Sequence, residues 1–229
     1  GGKATRPLEE RAESSRIFNP EEVRLPAILP DLPGVRKEFA DYCTSVRRLD
    51  DMVGAVLDEL ASAKRVEDTI VIFLADHGMP FPGAKFNCYP DSLRTPLIIR
   101  WPKTVKDGGV DETHMVSTVD LQPTILDAIG SSPTEVSDGR SFLPILRGEK
   151  QANRGVVFGQ FYHIHGGDAL PTYSVLTRQS AYVFNPWSNG KRRFPRLSGV
   201  AFNAMQQAAK KNPAMAARVT HLQYRSVEE

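Results

Sequence analysis

The residues of this chain that could do chemistry gather between Leu74 and Tyr89. Six apolar residues in a row, Ile70 to Ala75, run into Asp76 and His77, and Gly78 follows at once. Lys85 comes nine residues after Asp76. In open α/β sheets, ligands collect where loops diverge from the carboxyl ends of strands. A carboxylate and an imidazole held there, with a glycine to release the chain, suit a metal site or a phosphate or sulfate site. Hard divalent cations favour oxygen donors such as that of Asp76, and Lys85 offers a compact cation to a substrate oxyanion. So short a motif also arises by chance, with Asp76 capping a turn and His77 satisfied in its loop. Residue types and spacing leave both readings open.

The elements that must position these residues follow from periodicity. Ile70–Ala75 predicts a strand buried on both faces, as in a parallel sheet covered by helices. Upstream, Phe39, Tyr42, Val46, Leu49, Val53, Val56 and Leu60 recur at steps of three and four. They predict a long amphipathic helix over 35–63 with Arg47, Arg48, Asp51, Asp58 and Glu59 on its other face. Gly54 lies inside it, at a cost of about 1 kcal/mol, where another element is expected to come close. Pro26, Pro30 and Pro33 keep the preceding stretch out of a helix, and the charged opening to Asn19 reads as tail or loop. Pro96–Trp101 predicts a second strand, ended by Pro102. Val116–Ile129 predicts a second helix, stopped by Gly130. Further on, 139–148 is turn-rich, 156–159 and 173–184 look like short strands, and 197–209 looks helical. The fold class is therefore α/β, with residues 1–150 as its main part and 151–229 as a smaller α+β part.

The 229 residues carry 29 Lys and Arg against 27 Asp and Glu, a net charge of +2. That balance lacks the basic excess of a bulk nucleic-acid binder. No apolar run reaches the ~18 residues of a membrane span. Two cysteines, Cys43 and Cys88, make neither a disulfide scaffold nor a multi-cysteine zinc site.

Taken in order along the chain, four segments resemble the sulfatase family of the alkaline-phosphatase-like superfamily. They are Tyr42 through Gly54; Thr69 through Gly78 with Pro80, Phe81, Pro82, Lys85 and Asn87, continuing from Arg94 to Pro102; Val116 to Leu126 with Asp138 to Pro144; and Val157–Gly159 with His163, Arg178 and Tyr224. The stretch from Met79 to Pro82 resembles the sulfamidase branch, which acts on N-sulfated glucosamine. The resemblance implies an alkaline-phosphatase-like sandwich with a mostly parallel central sheet flanked by helices. It implies a hydrolase of sulfuric esters or sulfamates on sulfated sugars such as glycosaminoglycans. Asp76 and His77 then match two ligands of one calcium ion, Lys85 matches the catalytic cation that grips sulfate, and His163 falls near the bound substrate. It also implies an extracytoplasmic setting, whether periplasmic, secreted or lysosomal.

Departures from the family pattern carry equal weight. The family nucleophile is a formylglycine made within Cys-x-Pro-Ser-Arg, and the sequence has no such motif. Cys43 with Arg47 imitates it without the Pro-Ser pair, inside the predicted helix. Asp50 and Asp51 are again a helix pair, read as a solvated face, and do not match the family's early Asp-Asp ligands. Cys88 reads as a small packing residue. The expectation is a C-terminal portion of a longer sulfatase that supplies part of the calcium and sulfate site and is inactive alone. Its expected partners are the missing N-terminal portion or a second copy. The alternatives are a phosphodiesterase or phosphonate hydrolase of the same superfamily, and a non-catalytic interaction domain. For the latter, Lys191, Arg192, Arg193 and Arg196 form a basic cluster that is equally a solvated loop.

Overall fold

The computed structural model describes residues 13–131, 137–163, 167, 169–194 and 197–229. In chain order they form α1 (Pro33–Ser62), β1 (Val71–Leu74), α2 (Pro90–Leu93), β2 (Leu97–Arg100), α3 (Leu121–Ala128), α4 (Leu143–Leu146), β3 (Val157–His163), β4 (Ala169–Leu176), β5 (Ala181–Phe184), α5 (Val200–Ala209) and α6 (Pro213–Tyr224). Two compact units result. One holds Gly1–Glu67, Pro80–Gly83 and Gly190–Arg225; the other holds Asp68–Met79, Ala84–Asn189 and Ser226–Glu229. Neither unit ends near residue 150.

In the first unit, α1 starts with Pro33 at its first turn after an extended Leu32, where a missing N–H costs nothing. Phe39, Tyr42 and Phe81 stack with ring centroids 5.7–5.9 Å apart. The predicted apolar stripe is only half used. Phe39, Tyr42, Val53 and Leu60 are half-buried, whereas Val46, Leu49 and Val56 are exposed, and the residues α1 buries fully are Val35 and Ala40. Among the described residues no atom outside the helix lies within 4 Å of where a Gly54 Cβ would be, contrary to expectation. The charged opening is not wholly a free tail. Ser15 donates to Asp51 through its backbone N–H and hydroxyl, both at 2.7 Å, and Arg47 donates to Ser15. These Ser15 bonds hold the Asp51 carboxyl below its ordinary range, so Asp51 is a strut rather than a solvated charge. Residues 1–12 lie outside the described residues. The helix α6, unforeseen in the sequence, begins with Asn212 accepting from the Met215 N–H and Pro213 following it.

In the second unit, β1 pairs with β2 antiparallel, from Val71 opposite Arg100 to Leu74 opposite Leu97. β3, β4 and β5 form an antiparallel sheet in that order. The expected parallel pairing is thus not made among the described residues. A parallel neighbour needs a crossover, usually a helix of a dozen residues or so, and the β1–β2 connection carries only the four-residue α2. β1 is half-buried rather than sealed on both faces. The second predicted helix forms as a 3₁₀ turn, Thr118–Asp120, leading into α3. Gly130 ends it with φ 72°, while the Ser131 N–H donates to Leu126 O at 2.8 Å.

Candidate functional site

Asp76 and His77 follow β1 after the single residue Ala75, so a strand anchored by its β2 ladder delivers both. The Asp76 side chain is 87% exposed, and its Oδ2 lies 3.6 Å from His77 Nε2. His77 Nδ1 lies 2.8 Å from the carbonyl oxygen of Gly78. A carbonyl only accepts, so Nδ1 carries the hydrogen, and a neutral ring then has its lone pair on Nε2, beside Asp76. That is the tautomer a metal-binding histidine requires, with its second nitrogen held by backbone.

Gly78 is fixed by close approach. Its N–H donates to Ser92 O at 2.8 Å. A Cβ here would lie 1.9 Å from Asp91 O and 2.9 Å from Ala84 O, so only glycine lets the chain pass. The same contact sets Ala84, the residue before Lys85, against the residue after His77. Sequence spacing placed Lys85 nine residues away, and the fold brings its loop back to the strand end.

Lys85 is half-buried, with Nζ 5.0 Å from the Phe86 ring centroid. Asn87, almost fully buried, donates to Lys85 O at 2.9 Å and accepts from the Tyr89 N–H at 2.8 Å. Cys88 is wholly buried and its Sγ faces Thr172 O at 3.4 Å, a packing residue as expected. Phe86 packs on Phe161 of β3, centroids 6.5 Å apart. His163 lies two residues further along β3, at a register shift, with its ring edge-on to Tyr162 at 5.8 Å. Cys43 sits within α1, as expected, and burial pushes its thiol up. Lys191 and Arg193 are exposed, and Arg196 lies outside the described residues.

Asp76 and His77 are two donors close enough to reach one cation, but they do not complete a shell. Calcium takes six to eight oxygen ligands, and among the described residues no three His, Cys, Asp or Glu side chains converge on a metal position. The residues present therefore fit a partial site only. An apolar cavity of about 200 Å³, lined by Ile70, Ile72, Ile99, Trp101, Leu121 and Ile125 among others, holds no ionisable group and has no part in this chemistry.

One ionic cluster escaped the sequence reading. Asp120 and Arg154 are both buried and pair at 2.6 Å. Asp120 also accepts from the Ser117 and Arg140 N–H groups, and Arg154 also donates to Gln151, Arg140 O and Ser141 O. A Cβ on Gly139 would lie 2.0 Å from Val119 O, so Gly139 lets this turn close. The one local signal was the Ser117–Asp120 capping box.

Comparison with known proteins gives these residues a setting. The family described as Sulfatase matches residues 3–131, and the one described as N-sulphoglucosamine sulphohydrolase, C-terminal, matches 83–184. N-sulphoglucosamine sulphohydrolase of Homo sapiens is 37% identical over 189 residues, 79% of this chain and 37% of that protein. Among solved structures, a 2-O GAG sulfatase superposes with TM-score 0.58 at 24% identity, over 66% of this chain and 34% of the other. A phosphonate monoester hydrolase from Silicibacter pomeroyi gives 0.57 at 22%, over 90% and 50%. At such identities these two likenesses establish the α/β fold alone. The chain spans well under half the length of the human relative.

Proposed function

The chain belongs to the sulfatase family, and from that premise we propose that it carries part of the metal and sulfate site of a hydrolase acting on sulfated sugars. The human relative's name supports an N-sulfated glucosamine as the substrate class. The observation that carries the reading is the pair after β1: an exposed Asp76 carboxylate 3.6 Å from His77 Nε2, with Nδ1 held by the Gly78 carbonyl.

Sulfuryl transfer gathers negative charge on the sulfate and bridging oxygens, and fixed positive groups lower its barrier. Calcium, when bound, supplies that charge as a Lewis acid. Asp76 and His77 contribute two of its ligands. Lys85 donates hydrogen bonds to sulfate oxygens and offsets charge on the leaving group, the glucosamine nitrogen of a sulfamate or the oxygen of a sulfate ester, and His163 contacts the sugar. No Cys-x-Pro-Ser-Arg nucleophile motif is present in the sequence, so the chain by itself binds without turning over. The remaining ligands and the nucleophile belong to a longer protein that works outside the cytoplasm.

Calorimetric titration of the purified chain with calcium and sulfate tests this. Weak binding of both is expected, with the calcium heat abolished by Asp76→Asn and the sulfate heat by Lys85→Ala. No binding by the folded chain would favour an interaction domain instead. Hydrolysis of an aryl sulfate or N-sulfated glucosamine by the chain alone would refute its dependence on other sequence.

A further inference from the structure

Phe86 has a backbone φ of 60°. A bulky residue in the left-handed region is an outlier that carries backbone strain. Such strain persists only where the surroundings impose it, and here they do. The Asn87 side chain ties Lys85 O to the Tyr89 N–H across this residue, and the Phe86 ring rests against Phe161. Along a strand, consecutive side chains point to opposite faces. The left-handed turn removes that divergence and sets the Phe86 ring 5.0 Å from the ammonium nitrogen of the preceding Lys85, within cation–π range.

We infer that Phe86 is a positioning residue: its strained backbone and its ring together hold the Lys85 ammonium in one place. The inference rests on the reading of Lys85 as the sulfate-contacting cation. Glycine would relieve the φ strain, but only an aromatic residue supplies a face for the cation. Asn87 fixes the turn, Phe161 fixes the ring, and the ring fixes the charge.

The test is acetylation of the full chain by an N-hydroxysuccinimide ester, followed residue by residue by mass spectrometry, with exposed Lys64 as internal control. The neutral amine attacks the ester carbonyl and expels N-hydroxysuccinimide, so the ammonium must first give up a proton to solvent and with it its attraction to the ring. Lys85 in Phe86→Leu and Phe86→Gly is therefore expected to react about two- to five-fold faster than in the parent, with Lys64 unchanged. Phe86→Trp is expected to restore the parent rate. Phe86→Gly is also expected to melt no lower than Phe86→Leu, because strain and ring are lost together. Equal Lys85 rates in the parent, Leu and Gly forms, or a Trp form as fast as the Leu form, would overturn the inference. The same labelling with inorganic sulfate separates the two readings. If sulfate fails to protect Lys85 in the parent, the sulfate role falls, while the Phe86 dependence is still decided by the variants.

Discussion

Two aspartates in the same unit are treated in opposite ways. Asp120 is 5% exposed and is held by a guanidinium and two backbone N–H groups. The Asp76 side chain is 87% exposed, and the ionisable group beside it among the described residues is the His77 imidazole, at 3.6 Å. Burying a carboxylate demands full pairing, because an unpaired buried charge costs several kcal/mol. Asp120 meets that demand, and its partners are all structural. Asp76 has capacity to spare at the mouth of a rigid turn. The contrast teaches that the better-bonded carboxylate stabilises the fold, whereas the open one is the candidate for chemistry.

The sharpest way to break this contrast is Arg154→Ala. It strands the Asp120 carboxylate and is expected to cost about 3–5 kcal/mol, measured as a lowered urea midpoint. A loss below ~1 kcal/mol would mean that Asp120 is not an ionic keystone. Gly78→Ala comes next. Its Cβ would overlap the Asp91 carbonyl, and the forced shift is expected to cost about 1–3 kcal/mol. Asp76→Asn sits at the other extreme, with stability unchanged within ~0.5 kcal/mol. A drop above ~1.5 kcal/mol in thermal melting would place Asp76 among the structural carboxylates.

Asp111 lies between the two and sharpens the comparison by pH. Burial pushes its carboxyl up, but the backbone N–H and ring of His114 and the Thr113 N–H outweigh that and hold it well below the usual carboxylate range. A depressed folded value means stability present above the unfolded value of ~3.9 and lost as pH falls through the folded one. Asp111→Asn is expected to melt lower than the parent at neutral pH, by about 1 kcal/mol. Melting curves of the two proteins are then expected to converge as pH drops below ~4. Parallel curves over pH 2–7 would remove Asp111 from the ionised struts.

Local pattern was legible where it is decided locally. The three- and four-residue spacing from Phe39 to Leu60 places α1 within two residues of its observed ends, and Gly130 ends α3 as expected. The positions of Asp76, His77 and Lys85 were visible too, because a buried run ending in ionisable residues is a one-dimensional signal. Their tautomer, exposure and mutual approach were not. Those depend on Asp91 and Ala84 meeting Gly78, which no spacing encodes.

The sequence by itself therefore determined α1, β1, β2 and α3 in outline, marked Asp76, His77 and Lys85 as candidates for a cation or an oxyanion, and carried the resemblance to the sulfatase family. Tertiary structure alone decided the antiparallel pairing of β1 with β2, the Asp120–Arg154 pair across 34 residues, and the exposure of the outer stripe of α1. It also decided that Phe86 faces Lys85. The physical reason is common to all four. Periodicity is written in neighbouring residues, whereas burial and pairing are settled between segments distant in sequence, once chain reversal has brought them together and water has been displaced.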